Sequence, residues 1–253
     1  STFTYSEQPF TITAYARNLA NGTTFNYRDA FAYTGVTLTD ANPAAPATGS
    51  FSNNTILPAS FSSDSATTGG FFGVGTQSNL IYTFNTKDTI QETLDIRATD
   101  NNDSSISSNG FTEGTTEIRS GRARLENVFG PELTALTMPL HIEFYSDNAT
   151  PADLTDDGFI LNTDDSCTTY DATAGSLTNY TGNLISGDTT VTGATAIAAG
   201  VSSISFSAPG NGNEGSVILL GDNISTWLTY NWNVDCDNAD ADNDITTGID
   251  AGL

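Results

Sequence analysis

Basic side chains are scarce in this chain of 253 residues. Seven Lys and Arg stand against 30 Asp and Glu, which gives a formal net charge of −23 and a pI near 4.1. Binding to a nucleic-acid backbone requires a basic face, which seven cations cannot easily build. The negative charge also opposes attachment to an anionic membrane surface. We therefore expect neither nucleic acid nor an anionic membrane as a partner.

Several signatures of catalysis are missing as well. The glycine fingerprints of Rossmann and P-loop proteins are absent, and the single histidine excludes paired histidines at metal spacing. We predict a binding or structural protein and not an enzyme. No apolar run reaches transmembrane length and no signal peptide begins the sequence, so direct membrane insertion is not expected. Ser1 is not an initiator Met, and we expect a piece excised from a longer, processed protein.

The composition favours a secreted β protein. Charged residues make up 15% of the chain and aromatic residues 10%, so much of the surface must be uncharged Thr, Ser, Asn and Gly. Lys87 is the only lysine. This scarcity, with abundant Asp, indicates the exterior of a bacterium in salt water, and we expect an extracellular or cell-surface location.

Two cysteines, Cys167 and Cys236, lie far apart in the sequence. In an oxidising compartment they would form a disulfide that closes a long loop. Two buried thiols are the alternative. Neither cysteine has a second thiol or a histidine nearby, so a metal site there is not expected.

Short alternating segments predict an all-β fold. Phe10, Ile12 and Ala14 share one face at period two, and Asn21-Gly22 marks the following turn. Strands of four to eight residues between Gly, Asn and Pro indicate two consecutive Ig-like or jelly-roll-like β-sandwich domains with acidic loops. We place these domains at residues 1–119 and 120–234, with an acidic tail or linker at 235–253.

Three further segments carry local predictions. Residues 99–118 are polar and should form a loop, whereas 186–200 should form a strand pair of small residues. Residues 227–232 should form a strand with Trp227 and Trp232 on opposite faces, because their numbers differ by five. The exposed tryptophan would be a ligand-binding platform on which a sugar stacks. Partial burial of these rings at a domain interface is the alternative.

The order of several motifs resembles the large C-terminal region of MshQ-like proteins. These motifs are Gly121–Leu133, Met138–Leu140 and Phe159–Thr168. MshQ-like proteins are encoded with the mannose-sensitive haemagglutinin (MSHA) type IV pilus of marine Gammaproteobacteria. The resemblance implies a secreted, pilus-associated protein with pilus subunits or other surface proteins as partners. Since that family continues beyond such an acidic segment, the end at Leu253 suggests truncation.

Acidic loops are candidate Ca²⁺ sites. One loop places oxygen ligands at EF-hand-like positions one, three, five and twelve, with Gly158 at position six; these ligands are Asp153, Thr155, Asp157 and Asp164. The tail offers a second set, namely Asp235, Asp237, Asp240, Asp242 and Asp244. Close carboxylates repel one another unless they are screened or bridged. An acidic hairpin and a solvated linker are the respective alternatives, and the segment Asp100–Asp103 is a weaker third candidate.

These features predict an adhesion or structural module with loops stabilised by Ca²⁺ and a glycan as a further candidate ligand. A ligand-free stalk is one alternative. A fragment of a secreted carbohydrate-active enzyme is another, because carboxylates are plentiful enough for glycoside hydrolysis. Three arginines, Arg119, Arg122 and Arg124, should pair with carboxylates where the domains join. The lone His141, inside an apolar strand, should be structural.

Overall fold

The computed structural model describes residues 3–24, 26–28, 31–32, 34–61, 73–147, 157–171, 177–192, 194–221, 224–230 and 251–252. The chain divides into two compact units, Thr2–Ser120 and Gly121–Leu253. We call them the N-terminal unit and the C-terminal unit. No helix among the described residues is long and apolar enough to cross a membrane.

The N-terminal unit consists of two sheets. Its strands are β1 (Phe3–Tyr5), β2 (Phe10–Tyr15), β3 (Val36–Asp40), β4 (Gly49–Ser52), β5 (Thr55–Ile56), β6 (Val74–Phe84), β7 (Glu92–Asp100) and β8 (Gly114–Arg119). Five strands form one sheet in the order β1-β8-β7-β3-β5, and three form the other in the order β2-β6-β4. Strand β1 runs parallel to β8, and all other pairs in this unit are antiparallel.

The two sheets face each other across two hydrophobic clusters, each with residues from both sheets. Leu38 and Ile96 from the larger sheet pack in the same cluster as Leu80 from the smaller one, and all three are buried. Along β2, alternate residues beginning with Phe10 are half-buried and the others are exposed, so the alternation predicted for this strand is confirmed. This packing of two inner faces is that of a β-sandwich.

A 3-10 helix, Pro58–Phe61, closes this core. The ring of Phe61 lies over the backbone of Gly75, where a Cβ atom would come within 2.6 Å of the ring. Glycine is therefore required at this position of β6, because any side chain would displace a buried aromatic ring.

The C-terminal unit is also built from sheets. Its strands are β9 (Gly121–Leu125), β10 (Leu136–Ser146), β11 (Gly158–Leu161), β12 (Thr169–Asp171), β13 (Leu177–Thr178), β14 (Val191–Thr192), β15 (Ala194–Ala196), β16 (Val201–Phe206), β17 (Ser216–Leu219) and β18 (Ala251–Gly252). Strands β9, β10, β11, β14 and β16 form one sheet, β12 and β15 a second, and β13, β17 and β18 a third.

Strand β10 organises the largest of these sheets. It pairs with β9 along Leu140–Phe144 on one edge. On the other edge it pairs first with β16 and then with β11. One face of β10 is buried through Met138, Leu140, Ile142 and Phe144, so the charged residues between them lie on the opposite face.

The all-β class predicted from the sequence is confirmed, with several sheets and short strands as in β-sandwich domains. Three local predictions are wrong. Part of the predicted loop 99–118 is strand β8, which pairs with both β7 and β1. Strands β14 and β15 exist within 186–200, but β14 pairs with β16 and β15 with β12. Thr226–Leu228 is a 3-10 helix and not part of a strand.

We expect Leu80→Ala to destabilise the N-terminal unit by about 2–5 kcal/mol, because it opens a cavity between the sheets at a fully buried position. Chemical denaturation, followed by the circular dichroism of the backbone, measures the change in the free energy of unfolding. Leu19→Ala is the matched control, since Leu19 is fully exposed and its truncation should change stability by less than about 0.5 kcal/mol. Equal effects of the two changes would contradict this assignment of the core.

Candidate functional site

The polar face of β10 brings together charged residues from two neighbouring strands. Arg124 lies directly opposite His141, and Arg122 lies directly opposite Glu143. Alternate residues of a strand share one face, so the register between β9 and β10 places both arginines beside both β10 side chains. We call these four residues and Glu126 the charged cluster.

Glu143 is the centre of the charged cluster. Its Oε2 accepts hydrogen bonds from Arg122 Nε at 2.7 Å and Nη2 at 2.6 Å, and its Oε1 accepts one from Arg124 Nε at 2.7 Å. Arg122 and Glu143 are buried. One carboxylate thus lies between two guanidinium groups, a geometry in which charge-assisted bonds are strongest.

Arg124 connects the buried centre to the surface. Its Nη1 lies 2.8 Å from Glu126 Oε1, and its Nη2 donates to His141 Nδ1 at 2.9 Å. Burial alone would lower the pKa of Arg124, but the hydrogen bond and charge of Glu143, with those of Glu126, outweigh burial and raise the pKa. His141 Nδ1 also lies 3.4 Å from Glu126 Oε1, so the imidazole ring faces both a guanidinium and a carboxylate group.

Aromatic rings cover the buried arginine. The Arg122 guanidinium lies 3.9 Å from the centre of the Phe159 ring and 5.7 Å from that of Tyr230. Phe159 also contacts Tyr145 and Tyr230 edge to face, with centres 5.4 and 4.9 Å apart. Cation–π contacts of a desolvated arginine contribute up to about 2 kcal/mol. The charged cluster is therefore an internal brace, in which guanidinium and carboxylate groups bind one another.

The three arginines pair as the sequence predicted. Arg119 Nε binds Glu117 Oε1 at 2.5 Å in the N-terminal unit, whereas Arg122 and Arg124 bind carboxylates of the C-terminal unit. His141 contacts Arg124, and its structural role stays a prediction. Sequence reasoning did not identify Glu143 as the shared partner; its position two residues after His141 in an alternating strand was the available signal.

Most of the predicted calcium ligands lie outside the described residues. These are Asp153, Thr155, Asp235, Asp237, Asp240, Asp242 and Asp244. Of the remaining two, Asp164 is exposed, and Asp157 precedes β11 with its Oδ1 buried. No described group donates a hydrogen bond to that Oδ1 atom. The part of the chain that the structure describes brings no three acidic, histidine or cysteine side chains together as metal ligands.

The weaker candidate, Asp100–Asp103, is a hydrogen-bonded turn. Asp100 Oδ1 accepts from the backbone amides of Asn102 and Asp103, and its Oδ2 accepts from Thr34 Oγ1 and the Tyr27 hydroxyl. Burial would raise the pKa of Asp100, but these bonds outweigh it and hold the pKa below its ordinary value. The carboxylate stabilises the loop by accepting bonds from the chain itself.

The predicted ligand platform and disulfide are only partly described. Trp227 is half-buried within the 3-10 helix, so the strand alternation that placed it opposite Trp232 does not apply. Cys167 is exposed. Trp232 and Cys236 lie outside the described residues, and both the sugar platform and the disulfide stay predictions.

An apolar loop that the sequence analysis did not single out projects from the C-terminal unit. Residues 126–135 connect β9 to β10, and within them Phe129 is 85% exposed and Leu133 67% exposed. The loop is held by Glu132, whose carbonyl accepts from Gly210 N and whose Oε1 accepts from Gly212 N. Large apolar groups exposed close together are a common mark of interaction surfaces.

The fold and these contacts define an all-β protein of two sheet-built units, with a buried Arg–Glu–Arg brace in the second. Residues 1–119 match the family model of DUF6701, third domain, and residues 119–252 match that of DUF6701, fourth domain. The chain belongs to the DUF6701 family. No curated protein and no solved structure matches it significantly.

We expect Glu143→Gln to destabilise the C-terminal unit by about 3–5 kcal/mol, because it leaves a buried guanidinium without its carboxylate. The melting transition of the full chain measures the change. Glu7→Gln is the matched control, since it breaks the Lys87–Glu7 pair, whose side chains are 33% and 40% exposed, and should cost less than about 1 kcal/mol. Similar losses in the two variants would contradict the role of Glu143.

We expect Asp100→Asn to reduce the amount of folding stability that the protein loses as the pH falls. Because the folded pKa of Asp100 is lowered, its ionisation stabilises the fold above the unfolded value of about 3.9, and this contribution is lost as pH falls through the folded pKa. The free-energy difference between wild type and variant should therefore shrink between pH 7 and acid. Urea titrations at a series of pH values, with Ser104→Ala as control, measure this difference in the free energy of unfolding. A difference that does not change with pH would contradict the role of the Asp100 carboxylate.

Proposed function

We propose that this chain is a pair of modules from an exported, MshQ-like surface protein, and that it acts in adhesion at a type IV pilus of the MSHA kind. The resemblance in Gly121–Leu133 and Phe159–Thr168 supports the MshQ-like assignment, and membership of a family with numbered domains is compatible with it. The proposed location is extracellular or on the cell surface. The proposed partners are pilus subunits or other surface proteins, with glycan as an alternative ligand.

The observation that carries the adhesive role is the braced apolar loop 126–135. Its bonds between Glu132 and the glycines at 210 and 212 join it to a neighbouring loop, and Thr134 N bonds back to the carbonyl of Pro131 at 3.0 Å. The exposed ring of Phe129 is therefore presented on a backbone that is already ordered. Such preorganisation lowers the entropy lost on binding.

The proposed mechanism is non-covalent binding without catalysis. An exposed aromatic ring on a rigid loop contributes contact area at low conformational cost, which suits a protein surface or the apolar face of a sugar ring. The charged cluster supports this loop indirectly, because Arg124 and Glu126 hold the end of β9 from which the loop begins.

Calcium is proposed as a stabiliser of the segment Asp153–Asp164. The support is the buried Oδ1 of Asp157, which has no hydrogen-bond donor among the described residues and is an oxygen atom of the type that Ca²⁺ prefers. Bound Ca²⁺ would supply a positive charge to that carboxylate. The tail aspartates from Asp235 to Asp244 are proposed as a second contributor on the sequence pattern alone.

We expect Phe129→Ser to weaken binding to immobilised MSHA-type pili, or to any glycan on an array that binds the wild-type chain, by about tenfold or more. A loss of this size is typical when an aromatic residue at the centre of an interface is removed. Phe111→Ser is the matched control, because Phe111 is 64% exposed on a loop of the N-terminal unit. Both variants should keep the wild-type melting temperature. Equal binding by all three proteins would contradict the role of the loop.

The same binding assay with calcium and with chelator separates the remaining alternatives. If neither pili nor glycans bind the wild-type chain, the adhesive function is wrong and the ligand-free stalk is favoured. If chelator changes neither binding nor the melting temperature, the calcium proposal is wrong. Asp157→Asn should abolish any chelator effect that arises from the first site.

A further inference from the structure

A groove opens on one side of the N-terminal sandwich, between β3 of one sheet and β4 of the other. It has a volume of about 270 Å³, below the range of about 300–1,000 Å³ typical of small-molecule pockets. Its apolar surface comes from Leu38, Pro43, Ala44, Phe51 and Tyr82. A groove of this size fits one side chain and a short length of backbone.

Strand β4 presents a free edge along this groove. It lies at the end of its sheet, and among the described strands it pairs with β6 alone. Ser50 is aligned with Thr83 and, in the same register, Asn85 N donates to the carbonyl of Thr48. Hydrogen bonding alternates along an antiparallel pair, so Gly49 and Phe51 direct their backbone groups away from β6. An extended chain can pair with such an edge.

Two carboxylates lie at or behind the groove wall: Asp40 lines the groove, and Glu92 is bonded to the lining residue Thr48. Thr48 Oγ1 donates to Glu92 Oε2, and the Tyr82 hydroxyl lies 3.3 Å from Thr48 Oγ1. Burial raises the pKa of Tyr82, and the charges of Glu92 and Asp40 raise it further, although the bond with Thr48 opposes this. The charges of both carboxylates therefore act at one buried hydroxyl.

Within the part of the chain that the structure describes, no cation pairs with either carboxylate. The ion pairs of the described residues involve neither Asp40 nor Glu92, and Asp40 Oδ1 accepts only from the backbone amide of Asn42. The scarce cations of the chain are used elsewhere. The complementary ligand therefore carries a positive charge at the end of an aliphatic stem that can lie on Pro43 and Phe51.

We infer that this groove binds an extended segment of a partner protein that bears a lysine side chain, which adds as a strand to the free edge of β4. The backbone of the segment pairs with Gly49 and Phe51. Its lysine stem lies on the apolar floor and its ammonium group lies against Asp40. The site is separate from the loop around Phe129 and does not depend on the adhesive function proposed above.

The test uses the full chain labelled with ¹⁵N and the blocked peptide acetyl-Thr-Val-Lys-Val-Thr-amide. We expect saturable amide shifts centred on Gly49 and Phe51. Replacing the peptide lysine by norleucine should weaken binding by about tenfold, which corresponds to about 1.4 kcal/mol. Raising the salt concentration should weaken the lysine peptide more than the norleucine peptide, because salt screens exposed charge pairs.

Protein variants locate the charge contact. Asp40→Asn should lose the preference for lysine while keeping the bond to Asn42 N, because an amide oxygen still accepts it. Asp103→Asn is the matched control, since Asp103 is an exposed carboxylate on a different loop, and it should bind like wild type. Phe129→Ser should also bind the peptide like wild type, which separates this inference from the adhesive function.

Backbone pairing is tested by N-methylation of the peptide at alternate positions. One of the two methylation registers should abolish binding and the other should preserve it, because only alternate amides of an added strand face β4. Four results would overturn the inference: no saturable shift at millimolar peptide, equal affinity for lysine and norleucine, unchanged lysine preference in Asp40→Asn, or equal tolerance of both registers.

Discussion

The shortage of positive charge is the constraint on which much of this structure depends. With 30 acidic and seven basic side chains, the chain cannot neutralise its carboxylates one by one. Its cations are concentrated where acids leave water. Arg122 and Arg124 share the buried Glu143, and Arg97 binds the partly buried Glu113. A buried carboxylate without a partner is far more costly than an exposed one, so the few arginines stabilise the sheets where they pair.

Hydrogen bonds from the chain itself stabilise other carboxylates. Asp165 is almost fully buried, and it accepts from the backbone amides of Cys167 and Thr168 and from the Thr168 hydroxyl. Asp100 is held in the same manner in the N-terminal unit. Both of these acidic loops are therefore turns built on aspartate. Asp40 differs because it lines an open groove.

The parts of the fold that were predictable are those with a strong local pattern. The alternation of Phe10, Ile12 and Ala14 identified a strand and its inward face, because burial on one side imposes period two. Strand β8 was missed because its first residues, such as Thr115 and Glu117, are polar and only Ile118 carries the apolar signal. The segment around Trp227 was assigned to a strand because aromatic residues favour strands, whereas the buried Leu228 belongs to a single 3-10 turn.

The candidate sites were also predictable only in part. The pairing of Arg119, Arg122 and Arg124 with acids followed from composition, since cations in so acidic a chain must lie near carboxylates. The identity of the partner did not follow, because Glu143 meets Arg122 only through the register of β9 on β10. Likewise, no local sequence pattern distinguishes Phe129 from the other aromatic residues. Its exposure, and the bonds of Glu132 to residues 210 and 212 that hold its loop, are seen only in the tertiary structure.

The sequence by itself determined the all-β class and the excess of acid. These properties are sums over residues or patterns within a few neighbours. Only the tertiary structure decided which carboxylates are paired, which strand edges are free and which apolar side chains are exposed. Those outcomes depend on contacts between residues far apart in the chain, such as Thr48 with Tyr82 and Arg122 with Phe159, and no local pattern encodes them.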